Sequence, residues 1–320
     1  MSRSGSYNFG MDRDTIIKRA MHLANIVNLN QASRGDDHAF AVDIFQSMIK
    51  LWQAEGIQIW NRRQATIFPA YQDEQYSISS AVSADHCANS YVNSTLSATE
   101  ASGQTVLSIT STTGMTAADN IGIELDDHTR QWTTIVSVDS TTQVTVTTAL
   151  TGAAASGNTV ITYTSKISDR PLRILDMRTV DISNSNSTIS MEQIDYAEYF
   201  NIPIKSTDGR PINFYYDKLL DAGILYVFPR PDDVNVLLNF TYHESIEDVD
   251  SGTNSMDFPV EWTLPLIYGL AAELMVAYGK FQELPIIQGK ADQYKEIVRD
   301  FDSDEAPLYI LPEGFCYRDY

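Results

Sequence analysis

The segment Asp248-Val249-Asp250-Ser251-Gly252-Thr253-Asn254 spaces oxygen donors much as a calcium loop does. In that chemistry a glycine at the sixth place makes the sharp turn, and a glutamate at the twelfth closes the shell with both oxygens. Here the glycine stands one place early and Pro259 takes the twelfth position, so the segment reads as a polar connector between a strand and a helix. Glu124, Asp126 and Asp127 could hold a divalent ion or divide the acid and base roles of glycoside hydrolysis. Acidic residues are equally at home in solvated turns, and that reading is favoured. The histidines His22, His38, His86, His128 and His243 include no pair at ligand spacing, and His86-Cys87 lacks a second half for zinc. Gly152-Ala153-Ala154-Ala155-Ser156-Gly157 lacks the lysine of a phosphate cradle. No local context suggests a Ser-His-Asp or Cys-His nucleophile. The expectation is a protein that is not an enzyme, with no catalytic residues, no cofactor and no metal.

The charge balance narrows the partners. With 42 Asp and Glu against 22 Lys and Arg, the 320-residue chain has a formal net charge of −20. Nucleic-acid binders neutralise phosphates with clustered lysine and arginine, a surplus missing here. Hydrophobic residues at 43% suffice for folded cores, and about 150 residues per domain suggests two domains, or three if one is small. Met1 to Met11 are polar, so no signal peptide is expected. The longest apolar run, Leu264 to Tyr278, carries Glu273 and falls short of the about 20 residues of a membrane crossing, so no membrane partner is expected. Cys87 and Cys316 lie far apart, which fits a reducing compartment without disulfides.

Any such residues must be positioned by elements, and their periods differ along the chain. Ile16, Ala20, Leu23 and Val27 recur at helical spacing behind Asp12 or Asp14 as cap; Phe40, Ile44, Met48, Leu51 and Trp52 do so behind Asp36 or Asp37, with Gly56 as the stop. Together they predict a helical hairpin. Strands are predicted at Ile57, Ile59, Ala65–Pro69 and Gln75–Ile78. Between 95 and 165 the composition shifts to Thr, Ser, Gly, Ala and Val, with five strand-like runs: Thr105–Thr110, Ile121–Leu125, Gln131–Val138, Gln143–Ala149 and Thr159–Thr164. This predicts a small β-sandwich or barrel inserted into a surface loop. Arg130 is its only basic residue, against Glu100, Asp119, Glu124, Asp126, Asp127 and Asp139.

Beyond the insert, Arg173–Val180 reads as a strand and Met191–Tyr199 as a short helix or turn. Ile212–Tyr216, Ile224–Phe228 and the run Val234, Val236, Leu238, Phe240 and Tyr242 predict an antiparallel meander packed on one side. Phe258-Pro259-Val260-Glu261-Trp262 opens a third helix ending at Gly279, and a fourth starts near Pro285. The boundaries are 1–60 with 256–304 for the helical part, 61–94 with 166–255 for the β region, 95–165 for the insert and 305–320 for a C-terminal arm. That arm is apolar yet broken by Pro307, Pro312 and Gly314. Its Leu308, Tyr309, Ile310, Leu311, Phe315, Tyr317 and Tyr320 suit an extended strap docking on another subunit.

Several stretches carry a resemblance. They are Tyr7-Asn8-Phe9 with Asp12-Arg13-Asp14-Thr15-Ile16-Ile17, Met48-Ile49-Lys50-Leu51-Trp52-Gln53-Ala54-Glu55-Gly56, Phe214-Tyr215-Tyr216-Asp217, Leu225-Tyr226-Val227-Phe228-Pro229-Arg230-Pro231 and Phe258-Pro259-Val260-Glu261-Trp262. In this order the chain resembles the head-to-tail adaptors of short-tailed bacteriophages, the tail-accessory or packaged-DNA-stabilisation proteins similar to tubular tail protein A. The resemblance implies an α+β fold: a four-helix adaptor core, an antiparallel β region and the inserted small all-β domain. It implies a homo-oligomeric ring of twelve subunits under the portal protein at the head–tail interface of the virion, assembled in the host cytoplasm. Such a ring would extend the DNA channel, retain packaged DNA and offer a platform to the tail nozzle or tail fibre proteins. Double-stranded DNA would pass without sequence-specific binding, and an electronegative channel would suit such passage because repulsion lets a duplex slide. The arm, Leu308–Tyr320, would reach the portal. The alternative reading is a tail-associated binding module whose insert recognises host glycan or other tail proteins; a cell-wall hydrolase using Glu124 and Asp127 is the third.

Overall fold

Asp12 starts the first helix by accepting from the Thr15 amide at 2.9 Å, and these Thr15 contacts hold its carboxyl below the usual carboxylate range. The computed structural model describes residues 10–28, 31, 33–56, 59–79, 81, 84–167, 169–253 and 257–301. The chain forms two units, Met1–Trp60 with Ile246–Tyr320, and Asn61–Ser245. In chain order the elements are α1 (Arg13–Leu23), α2 (Gly35–Ala54), β1 (Arg62–Ile67), β2 (Gln75–Ile78), β3 (Cys87–Ala88), β4 (Val92–Thr95), β5 (Val106–Ser108) and β6 (Asn120–Glu124). Then follow β7 (Arg130–Ser140), β8 (Gln143–Val146), β9 (Thr159–Tyr163), β10 (Arg173–Asp181), β11 (Ser187–Ser190), β12 (Glu192–Gln193) and α3 (Tyr196–Phe200). The chain continues through β13 (Asn213–Lys218), β14 (Gly223–Phe228), β15 (Val236–His243), α4 (Thr263–Ala277) and α5 (Leu284–Phe301).

The fold class differs from the α+β expectation built on a four-helix adaptor core. Among the described residues 31% are strand against 27% helix, in three sheets, so the chain is mostly β there. The reason is local. Many strands are two to five residues long and rich in Ser and Thr, so they leave a weak pattern beside the long apolar stripes of the helices. Nor do the helices close into a bundle. α1, α2 and α5 each pack on α4, whose Leu266, Leu270, Ala271 and Leu274 are buried, and α1 has α4 rather than α2 as its main neighbour. By length and composition Val260–Ala277 could cross a membrane, yet 56% of it is buried within the protein.

The second helix also departs in detail. It begins behind Arg34 with no side-chain cap, and Asp36 and Asp37 fall inside its first turn, where they face the positive end of the helix dipole. It buries Ala41, Phe45, Met48, Ile49 and Trp52, a face rotated from the predicted stripe, so that Phe40 and Leu51 stay exposed. Ile59 lies in a short 3-10 turn rather than a strand; Ile57, Tyr7-Asn8-Phe9 and Asn254 lie outside the described residues.

The second unit holds all three sheets. The five-stranded sheet has order β11-β10-β15-β1-β3, and the four-stranded one β12-β13-β14-β2. Ile67, Phe240 and Tyr242 from the first meet Tyr76, Phe214, Leu225 and Val227 from the second in one core. The predicted meander is therefore split. β13 and β14 form a hairpin, but β15 crosses to the other sheet and pairs with β1 and β10. There it is buried on both faces, not one.

The third sheet, β4-β9-β6-β7-β8-β5, is antiparallel throughout. A bridge between Leu96 and Ile109, just past β4 and β5, joins its two edges. The result is a small closed barrel filled by Leu107, Ile121, Ile123, Ile135, Val144 and Val160. Closure removes the free edges that an isolated small sheet would expose.

Candidate functional site

Glu124 ends β6 and is spoken for. Its carboxylate accepts from the Thr159 amide and hydroxyl, both at 3.0 Å, and from Asn235 Nδ2 at 3.0 Å. Arg130 completes the network, donating to the Val234 carbonyl at 2.8 Å, Asn235 Oδ1 at 3.1 Å and Thr159 Oγ1 at 3.1 Å. Burial pushes the guanidinium down to about 10, against the pull of Glu124 and Asp233. The other barrel carboxylates are likewise engaged. Asp126 accepts from Ala155 N at 2.8 Å; Asp127 from the Thr129 amide and hydroxyl at 3.0 and 2.6 Å; Asp139 from Ser137 and Thr145 hydroxyls, both at 2.6 Å. Glu100 accepts from Ser108 N at 2.8 Å, and Asp119 from Thr116 N at 2.7 Å. Of the two carboxylates singled out as an acid–base pair, Glu124 sits in the Arg130 network and Asp127 ties its own turn.

An aromatic cluster beside this network joins the barrel to the five-stranded sheet, and sequence reasoning missed it. His86 stacks on Trp132 at 3.9 Å and 8°, and its Nδ1 lies 2.5 Å from the Tyr163 hydroxyl. Phe68 stacks on Tyr163 at 5.5 Å and touches Trp132 and Tyr91. A Cβ at Gly122 would meet the Trp132 ring at 2.8 Å, so only glycine lets that ring lie against its cross-strand partner. Burial, with Lys166 adding to it, pushes the His86 imidazole down to about 4. The signal in the sequence was a tryptophan opposite a glycine, legible only once β6 and β7 are paired.

The calcium-like segment is a pinned connector: Asp248 pairs with Lys50 at 2.7 Å, and Arg13 donates to the carbonyls of Val249 and Asp250. Among the described residues no group of three His, Cys, Asp or Glu is placed to hold a metal ion. The arm residues Leu308, Tyr309, Ile310, Leu311, Phe315, Tyr317 and Tyr320 lie outside the described residues.

What the chain leaves open is apolar surface. On the helical unit Phe40, Leu51, Leu264, Val276, Ile286, Ile297 and Phe301 are exposed, Leu51 by 60% and Phe301 by 76%. A groove of about 520 Å³ runs between α2 and α5 over α4. Met48 and Trp52 form its floor against Gly269, where a Cβ would meet Trp52 at 3.0 Å and Met48 Sδ at 3.1 Å. Lys295 bounds it, paired with Glu55 at 2.7 Å and 4.8 Å above the Trp52 ring. On the four-stranded sheet, α3 lies over the cross-strand pair Tyr215–Tyr226, with Tyr196 and Phe200 exposed. The adjoining hairpin tip carries Leu220, 86% exposed. Comparison with known proteins finds no matching family model and no matching curated sequence.

Proposed function

We propose that the chain is a structural connector subunit of a bacteriophage virion, forming a ring beneath the portal at the head–tail interface. The observation that carries this reading is the apolar surface left exposed on three different helices, α2, α4 and α5. A closed ring repeats one heterologous contact, so each subunit must offer two distinct faces, and apolar patches on separate helices supply candidates for both. The stretches behind the adaptor resemblance do scaffold work that suits this role. Trp52, Trp60, Phe258 and Trp262 pack in a cluster of tilted ring contacts, with centroids 5.3 to 6.2 Å apart, and Trp262 is fully buried. Outside that cluster, each barrel carboxylate is occupied by its own fold, which favours a rigid decoration over a catalytic cleft.

The test is assembly. The purified chain, monomeric or weakly associating alone, is expected to form rings when portal protein is added, as seen by native mass measurement and electron microscopy. A tight dimer with no affinity for portal overturns the proposal. Deleting residues 95–165 separates it from the glycan-binding alternative: rings still form if the barrel is decoration, whereas attachment to cells fails if the barrel is the receptor-binding part.

A further inference from the structure

The groove between α2 and α5 has the form of a place for one more segment. Both helices rest on α4 and meet each other through Lys295; the nearly buried Met48 and Trp52, with Gly269, close the base between them, and Leu51 is exposed on its wall. Its volume, about 520 Å³, falls in the range of pockets that enclose organic ligands. The groove's charged residues are Asp43, Glu55, Glu273 and Asp292 against Lys295 alone, so an anionic occupant is disfavoured.

The chain itself holds a matching segment. Residues 302–305 carry Asp302, Asp304 and Glu305, but 306–312, Ala-Pro-Leu-Tyr-Ile-Leu-Pro, are uncharged and apolar. Pro307 and Pro312 disfavour a helix and leave an extended strand that can lie in a slot. The reach fits as well. Gln288 to Lys295 lie roughly 9–20 Å back along α5 from Phe301 at about 1.5 Å per helical residue. An extended chain reversing after Phe301 covers roughly 16–36 Å between residues 306 and 312 at about 3.3 Å per residue. We propose that residues 306–312 of the same chain occupy this groove, with Leu308, Tyr309, Ile310 and Leu311 as the anchoring side chains. The inference stands apart from the connector reading, since it concerns the isolated chain.

The test uses the full-length protein carrying a nitroxide on Cys316; Cys87 is buried and does not compete for the label. Amide signals of residues 43–55 and 288–295 are expected to broaden several-fold relative to the reduced label. The broadening is expected to vanish in Ser47→Trp, which fills the groove from α2, and in the double variant Leu308→Ser/Ile310→Ser, which leaves the described fold untouched. Absence of broadening in the parent, or its persistence in the arm variant, overturns the proposal. So does broadening that appears when isotope-labelled Cys316→Ser chain is mixed with spin-labelled, isotope-free chain at equal strength, because it assigns the arm to a neighbouring copy. Ring formation with portal is read separately, and its failure leaves these signals unchanged.

Discussion

The barrel and the helical unit use their side chains in opposite ways. In the barrel, Glu100, Asp119, Glu124, Asp126, Asp127 and Asp139 all accept hydrogen bonds from neighbours, and the apolar interior is enclosed by a sheet joined edge to edge. In the helical unit, one core centred on α4 is complete, while apolar side chains on three helices still face solvent. The lesson is that a conspicuous acidic cluster can be consumed entirely in folding, whereas ordinary leucines and isoleucines are what remain available to a partner.

That contrast can be broken at the cores first. Trp262→Ala removes a fully buried ring touching Trp52, Trp60 and Phe258, and is expected to cost about 3–5 kcal/mol in denaturant unfolding. Arg130→Met keeps most of the volume but strips three hydrogen bonds from the barrel junction. A cost of about 2 kcal/mol is expected, read from hydrogen-exchange protection of β7 and β9.

A smaller effect comes from acid. His86 is held neutral with its imidazole down at about 4 against an ordinary 6.5, so the unfolded chain binds more protons between these values. The His86 contribution to stability is full above pH 6.5 and declines as pH falls toward 4; His86→Phe is expected to flatten that dependence in melts across pH 4–7. If the profile keeps its slope, another group is responsible. The smallest expected effect on folding is the most telling for function. Val276→Ser and Ile286→Ser, at exposed positions, are expected to leave the midpoint of unfolding within about 0.5 kcal/mol of the parent. The same variants are expected to reduce portal-dependent ring formation several-fold; wild-type assembly would instead show these patches to be idle surface.

Elements with long periodic patterns were legible from the residues. Ile16, Ala20 and Leu23 located α1, Gly56 with its positive φ ended α2, and Gly279 ended α4. The hairpin of β13 and β14 was legible in its alternation. The overturned balance of helix and sheet, the split of β15 from its hairpin and the rotation of α2 were not legible. Each depends on which neighbour arrives from far along the chain. Asn235 and Leu237 look like the solvent side of a strand until the barrel covers them.

The sequence by itself determined where α1 begins and where α2 and α4 stop, that a Thr-rich β segment interrupts the chain, and that its charge is strongly acidic. Those properties follow from side-chain period, backbone preferences and simple addition. Only the tertiary structure decided that Glu124 is tied to Arg130's network and that α2 and α5 stand apart over Gly269. Whether a polar group is satisfied, or an apolar one covered, is a property of contacts between residues tens to hundreds of positions apart, and such pairings are not written in local spacing.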